Sequence, residues 1–185
     1  MSKLNIKEIL ISAFALAVIA AVTTAALAGT NALTHKRIAE MNEAAANEAR
    51  MQVLSADLYE KKTLTDGGKT VEYYEAVKDG AVVGYVFSVT ATGKSSGLVV
   101  MTGISTDGKI TGVAITEDKE TAGYVDKVKN GGLLDSIAEA GAGRPLTPGE
   151  HIDVVSQATK TSKGVIAGVN QAITYYNVYH KGGQG

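Results

Sequence analysis

The sequence contains no cysteine. Disulfides, thiolate metal sites, cysteine-ligated iron–sulfur clusters and cysteine nucleophiles are therefore excluded. Histidine is scarce. His35, His151 and His180 lie far apart and show no metal-ligand spacing, so no metal site is expected. Neither sign of charge is in excess. The formal net charge is -1, which leaves no basic surplus to neutralise phosphates and argues against nucleic acid as a partner. Catalytic motifs are missing too. No elbow motif presents a serine nucleophile, His151 has no identifiable partner, and neither a P-loop lysine motif nor a Gly-x-Gly-x-x-Gly after a strand is present. Glu117, Asp118 and Glu120 read as a wet loop rather than an acid–base pair. By elimination no catalytic side chain is assigned. The residues point to binding, or to chemistry carried by a cofactor.

What is present begins with an apolar run. From Ile9 to Gly29 there is no charged residue, and about 20 such residues cross a bilayer as a helix. Lys3 and Lys7 precede it and Lys36 and Arg37 follow, a near-symmetry that leaves orientation open under the positive-inside rule. Ala26-Leu27-Ala28 resembles a signal-peptide cleavage site, which is the alternative reading. The length of the run and the helical pattern continuing from it favour an uncleaved anchor. The expected organisation is a tail at 1–8, a transmembrane helix at 9–29, a helical stalk at 30–62, one globular domain at 63–180 and a tail at 181–185. Within the stalk, Ala44, Glu48, Met51, Leu54 and Leu58 recur at helical spacing.

The domain opens with β signals. Val71–Val77 and Ala81–Thr90 flank the turn Asp79-Gly80, and Leu98–Ile104 and Lys109–Thr116 flank Asp107-Gly108. Asp-Gly between β-rich segments marks hairpins, so four antiparallel strands are expected. A polar loop runs from Glu117 to Gly123 into Tyr124–Lys129. A short helix is expected over Leu133–Ala140, and a loop over Gly141–Gly149. At the end, Val165, Val169, Ala172, Tyr176 and Tyr179, widened by Ile166 and Ile173, form the buried stripe of a helix. Strands first and a helix last give an α+β fold.

Ahead of that stripe lies a hydroxyl-rich stretch, Asp153-Val154-Val155-Ser156-Gln157-Ala158-Thr159-Lys160-Thr161-Ser162-Lys163-Gly164. Serine and threonine there are read either as helix caps or as contacts for a phosphorylated ligand at a helix N-terminus. The residues alone leave both readings open.

The order of features resembles the FMN-binding domain shared by the G subunit of Rnf complexes and the C subunit of sodium-translocating NADH:quinone oxidoreductases. The attachment motif of that family runs Asp-x-x-(Ser/Thr)-Gly-Ala-Thr followed by a Thr-Ser pair. It is matched by Asp153, Ser156, Ala158 and Thr159, then Thr161 and Ser162. Met101–Val113 resembles the family's central hairpin. Glu120-Thr121-Ala122-Gly123-Tyr124-Val125-Asp126-Lys127-Val128 resembles its Glu-Thr-Pro-Gly-Leu-Gly-x-Lys-Val loop, with Ala122 and Val125 departing.

The resemblance implies FMN held by a phosphoester to Thr159, with Ser156, Thr161 and Ser162 as phosphate contacts. It places the Glu120–Val128 loop beside the flavin, with Thr121 a partner for the ring edge and Glu120 either a contact or the residue that orders the loop, and it makes Asp153 a recognition mark for the flavin transferase. It also implies a single-pass protein of the cell membrane with an extracytoplasmic domain. Its partners would be the other subunits of an Rnf-type ferredoxin:NAD+ oxidoreductase coupled to Na+ or H+, or of the equivalent quinone reductase. An interaction module of the same fold without flavin is the remaining alternative. Gln157 stands where the family has glycine. If that position takes a positive φ, glutamine is strained there by about 1 kcal/mol or more.

Overall fold

The computed structural model describes residues 6–66, 68–141 and 144–182. The expected tails at 1–8 and 181–185 therefore fall largely outside the described residues. Helix α1, Ile6–Val53, spans the boundary between two compact units, Met1–Ala45 and Ala46–Gly185. In the first unit, Ile9–Asn31 is long and apolar enough to cross a membrane and has no buried share. Thr23, Thr30 and Thr34 donate their hydroxyls to carbonyls four residues back, at 2.6, 2.9 and 2.8 Å. Thr23 and Thr30, inside the apolar span, are thus satisfied within the helix, as hydrocarbon surroundings demand.

The second unit is built on five antiparallel strands in sequence order: β1 (Leu58–Asp66), β2 (Lys69–Lys78), β3 (Ala81–Thr92), β4 (Ser96–Ser105) and β5 (Ile110–Glu117). Helices α2 (Tyr124–Asn130), α3 (Leu133–Ala140) and α4 (Thr159–Gly182) follow. Four strands, the short helix α3 and the final helix stand where the pattern places them. At the β2–β3 hairpin Lys78 pairs with Ala81, and Asp79 and Gly80 both have positive φ (51° and 76°). That is the type I′ turn whose twist matches the strands it joins.

The stalk expectation is corrected. Helix α1 ends at Val53, and residues 58–62, assigned to the stalk, belong to β1. Glu60, Lys61 and Lys62 are good helix formers, and Leu54 to Leu58 keeps helical spacing, so local propensity favours helix. Tertiary pairing wins. Strand β1 is an edge whose charges pair across it and onto β2: Lys61 with Glu72 at 2.8 Å, and Lys62 with Glu60 at 2.9 Å and Glu75 at 3.8 Å. Such charges also discourage edge-to-edge association.

One sheet face is covered by α4. Tyr73, Tyr85, Phe87, Leu98, Val100 and Ile104 meet Val165, Ile166, Val169, Ala172, Ile173 and Tyr176 in the main core. Gly168 makes the approach close, since a Cβ there would sit 2.9 Å from Val100. On the other face, the last turns of α1 lie against Ala76, Val86 and Met101. A Cβ on Gly103 would come 2.5 Å from the Val53 carbonyl, so only glycine admits the helix end. Thr111 and Tyr59 donate to the Val53 and Leu54 carbonyls, each at 2.5 Å, capping acceptors that a helix C-terminus leaves open.

Candidate functional site

The hydroxyl-rich stretch folds into a turn followed by the first turns of α4. The Ala158 N–H donates to the Val155 carbonyl at 3.1 Å, closing a turn in which Gln157 has φ 63°. Asp79 and Gln157 are the non-glycine residues with positive φ among the described residues. A positive φ at the third position of a turn is the type II pattern, which glycine fills without strain. The conditional attached to Gln157 is therefore met. The first helical bond then runs from the Ser162 N–H to the Ala158 carbonyl at 2.8 Å.

That bond makes Ala158 the N-cap residue. Alanine has no side-chain oxygen, so no serine or threonine side chain occupies the N-cap position of this helix. A missing polar cap costs about 1 kcal/mol. It also leaves the N–H groups of residues 159–161 ahead of the first intrahelical bond, where they point at any anion placed before the helix.

The hydroxyls divide by helical phase. Ala158, Thr161 and Ser162 are buried on the same face as Val165, Ile166 and Val169, whereas Thr159, Lys160 and Lys163 are exposed. The Ser162 hydroxyl donates to the Ala158 carbonyl at 3.0 Å and accepts from the Val155 N–H at 3.1 Å. It ties the turn to the helix from inside. Thr161 donates to Glu120 at 3.1 Å, and the other Glu120 oxygen accepts from the Ser95 N–H at 3.0 Å. One carboxylate thus joins the β3–β4 loop to the start of α4. Gly164 lets that loop come close, because a Cβ there would lie 2.7 Å from Gly93.

Thr161 and Ser162 accordingly spend their hydroxyl protons within the scaffold, on Glu120 and on the Ala158 carbonyl. Thr159 presents its side chain to solvent. Ser156 is exposed on the turn, and Asp153 is exposed on the segment before it. Thr121 is also exposed; its carbonyl accepts from the Tyr124 N–H at 3.2 Å, starting α2. His151 accepts the Thr147 N–H on Nδ1 at 3.1 Å, a local turn contact.

Beside the turn lies a cleft of about 450 Å³ lined by Asp126, Lys127, Asn130, Gly131, Val155, Ser156 and Gln157. Lys127 Nζ donates to Gln157 Oε1 at 2.9 Å. Lys127 and Lys94 both attend the Tyr124 ring, at 5.7 and 4.2 Å from its centroid. Sequence reading does not single out Lys94 or Asn130, and it meets Lys127 only as the lysine of the loop that resembles the family's. The signal lies in α2, where Lys127 and Asn130 sit three apart and so share a helix face. An exposed hydroxyl, first-turn N–H groups, several lysines and a cleft of this size match the needs of a phosphorylated, planar cofactor such as FMN.

Comparison with known proteins agrees with this geometry. Residues 93–174 match the FMN-binding domain, and residues 1–53 match the RnfG N-terminal region. Over 181 residues the chain is 34% identical to the G subunit of the Na(+)-translocating ferredoxin:NAD(+) oxidoreductase complex of Acetobacterium woodii, covering 86% of this chain and 87% of the relative. It is 30% identical to the G subunit of the ion-translocating oxidoreductase complex of Methanosarcina acetivorans, covering 91% and 95%. The corresponding protein of Stutzerimonas stutzeri is 26% identical, covering 88% and 78%. Similarity at this level and over this much of both chains places the protein in a family: it belongs to the FMN-binding G subunits of ion-translocating oxidoreductase complexes.

Proposed function

We propose that the chain is the membrane-anchored electron-transfer subunit of an ion-translocating ferredoxin:NAD+ oxidoreductase, and that its FMN is esterified to the Thr159 hydroxyl. The observation that carries the attachment is the placement of Thr159. It is an exposed hydroxyl on the first turn of α4, behind an alanine N-cap, inside the segment that matches the FMN-binding domain.

Esterification needs an activated flavin nucleotide and a transferase. The Thr159 Oγ–phosphorus bond forms, the phosphoanhydride bond of the donor breaks so that its nucleoside monophosphate half leaves, and the hydroxyl proton is lost to base. Thr159 is reachable by such an enzyme because its side chain is exposed, and exposed Asp153 is the recognition mark beside it. The ester leaves about one negative charge, and a helix N-terminus stabilises such a charge by about 0.3–1 kcal/mol. Lys160 and Lys163 add positive charge on the exposed face. Glu120 holds the β3–β4 loop against α4 through Ser95 and Thr161. FMN itself supplies reversible electron transfer; the protein contributes binding, orientation and electrostatics. The span Ile9–Asn31 anchors the subunit in lipid, with its domain on the extracytoplasmic side, against the other subunits of the complex. Na+ or H+ is the coupled ion.

Full-length protein from its native membrane is expected to give a flavin-fluorescent band on a denaturing gel. Thr159→Val is expected to lose the band entirely with no change in thermal unfolding. A valine variant that keeps its fluorescent band removes Thr159 as the attachment point.

A further inference from the structure

We propose that the cleft between α2 and the 155–157 turn seats the polar edge of the flavin ring. In it, Lys127 sets the flavin's reduction potential and Gln157 aims Lys127. This rests on attachment at Thr159, two residues beyond Gln157. The lining has the right chemistry for a flat ring bearing carbonyl and imide groups along one edge. Val155 and Gly131 are its apolar lining, and they pack so closely that a Cβ on Gly131 would lie 2.7 Å from Val155. Lys127, Asn130, Ser156 and Gln157 supply donors and acceptors at the rim.

Lys127 is the cation of that lining; Lys94 is stacked on Tyr124 and is not part of it. Its ammonium is held from two sides, by the Gln157 side-chain oxygen at 2.9 Å and by the Tyr124 ring at 5.7 Å. A glycine at position 157 would supply the left-handed backbone but no side-chain oxygen. Here the strained glutamine does both, and this gives it a reason to exist. Reduction adds electron density, and with it negative charge, to the ring. A fixed cation beside the ring favours the reduced form, as a neighbouring ammonium favours a carboxylate over its acid. Covering the cleft with the ring removes water and strengthens the effect. Asp126 lines the same cleft and opposes it.

The test uses detergent-solubilised full-length protein, read by gel fluorescence for loading and by redox titration for potential. Lys127→Met is expected to keep its band and to lower the equilibrium constant for reduction about tenfold, which is about 30 mV for a two-electron couple. Lys127→Arg is expected to restore most of the shift, and Asp126→Asn to move the potential upward. Gln157→Gly is expected to keep its band and to shift the potential in the direction of Lys127→Met by a smaller amount. Loaded Lys127→Met and Gln157→Gly proteins at the wild-type potential overturn the proposal and leave attachment standing. If Lys127→Met does not load, Gln157→Gly decides by the same criterion. Wild-type protein without a band overturns attachment, and this proposal with it.

Discussion

The two ends of α4 are held by the same sheet and built to opposite specifications. At its C-terminal half, Tyr176 and Tyr179 lie against Tyr85 with ring centroids 5.9 and 4.8 Å away. Tyr175 meets Phe87 at 6.3 Å, and Tyr179 meets Tyr73 at 5.5 Å. The hydroxyls are used as well: Tyr176 donates to the Thr106 carbonyl at 3.1 Å and Tyr179 to Glu75 at 3.2 Å. At the N-terminal end the cap is an alanine, the preceding residue is strained, and Thr159, Lys160 and Lys163 face solvent. Packing energy is concentrated where no chemistry is needed. The N-terminal end gives up local stability to keep N–H groups and a hydroxyl exposed.

The sharpest way to break this contrast is to remove packing at the tyrosine end. Phe87 is fully buried, stacked on Tyr73 at 5.6 Å, and in contact with the helix side through Tyr175. Phe87→Ala is expected to cost about 3–5 kcal/mol, because it removes a large apolar side chain and leaves a cavity. Denaturant unfolding should show this as a lower midpoint. Thr159→Val, at the other end, should leave the midpoint unchanged while abolishing flavin. Equal stability losses at both ends would dissolve the division of labour.

A smaller effect follows from alkali. Tyr85 is pushed up from 10.0 to about 12, chiefly by burial, then by its hydrogen bond to Tyr179 and by the charges of Tyr179 and Glu75. Burial also raises Tyr73, Tyr176 and Tyr179. A folded-state value above the unfolded one stabilises fully below the unfolded value and loses that stabilisation as pH rises towards the folded one. The window for Tyr85 is therefore pH 10 to about 12. Across it the fold should lose about 2–3 kcal/mol, since each pH unit of difference is worth about 1.4 kcal/mol. Unfolding measured at several alkaline pH values should show the fall, and Tyr85→Phe should flatten it.

The same contrast explains what is legible in the sequence. Strands β2–β5 are readable because Asp79-Gly80 and Asp107-Gly108 punctuate β-rich runs, and α4 because its apolar stripe is long. Strand β1 is not, because its Glu and Lys residues serve an edge whose pairing partner is known only in the fold. Helix α2 is hidden by its shortness and its charge. At the site, the motif counts Thr159, Thr161 and Ser162 alike among the polar contacts, while the fold exposes Thr159 and buries Thr161 and Ser162. Extending the stripe backwards from Val165 by helical steps puts both on the buried face, with Ala158, and leaves Thr159 outside. The Lys127–Gln157 pair joins residues 30 apart in sequence and carries no local signature.

Gln157 and Asp79 give the finest test, since both adopt positive φ without being glycine. Asp79 sits in a type I′ hairpin turn, where aspartate is among the favoured residues and its N–H donates to Asp57 at 3.0 Å. Glutamine has no such preference, so its conformation costs about 1 kcal/mol. Replacement by glycine relieves that cost but increases the freedom of the unfolded chain, which returns part of the gain. It also removes the exposed Lys127 bond, and an exposed contact of this kind contributes little. Gln157→Gly is therefore expected to stabilise the domain by about 0.5 kcal/mol, and Asp79→Gly to change it by less. Thermal unfolding of the two variants side by side measures the difference. A destabilised Gln157→Gly protein would mean that the Lys127 bond outweighs the backbone strain, and that the N-terminal end of α4 is more rigidly held than its exposed residues indicate.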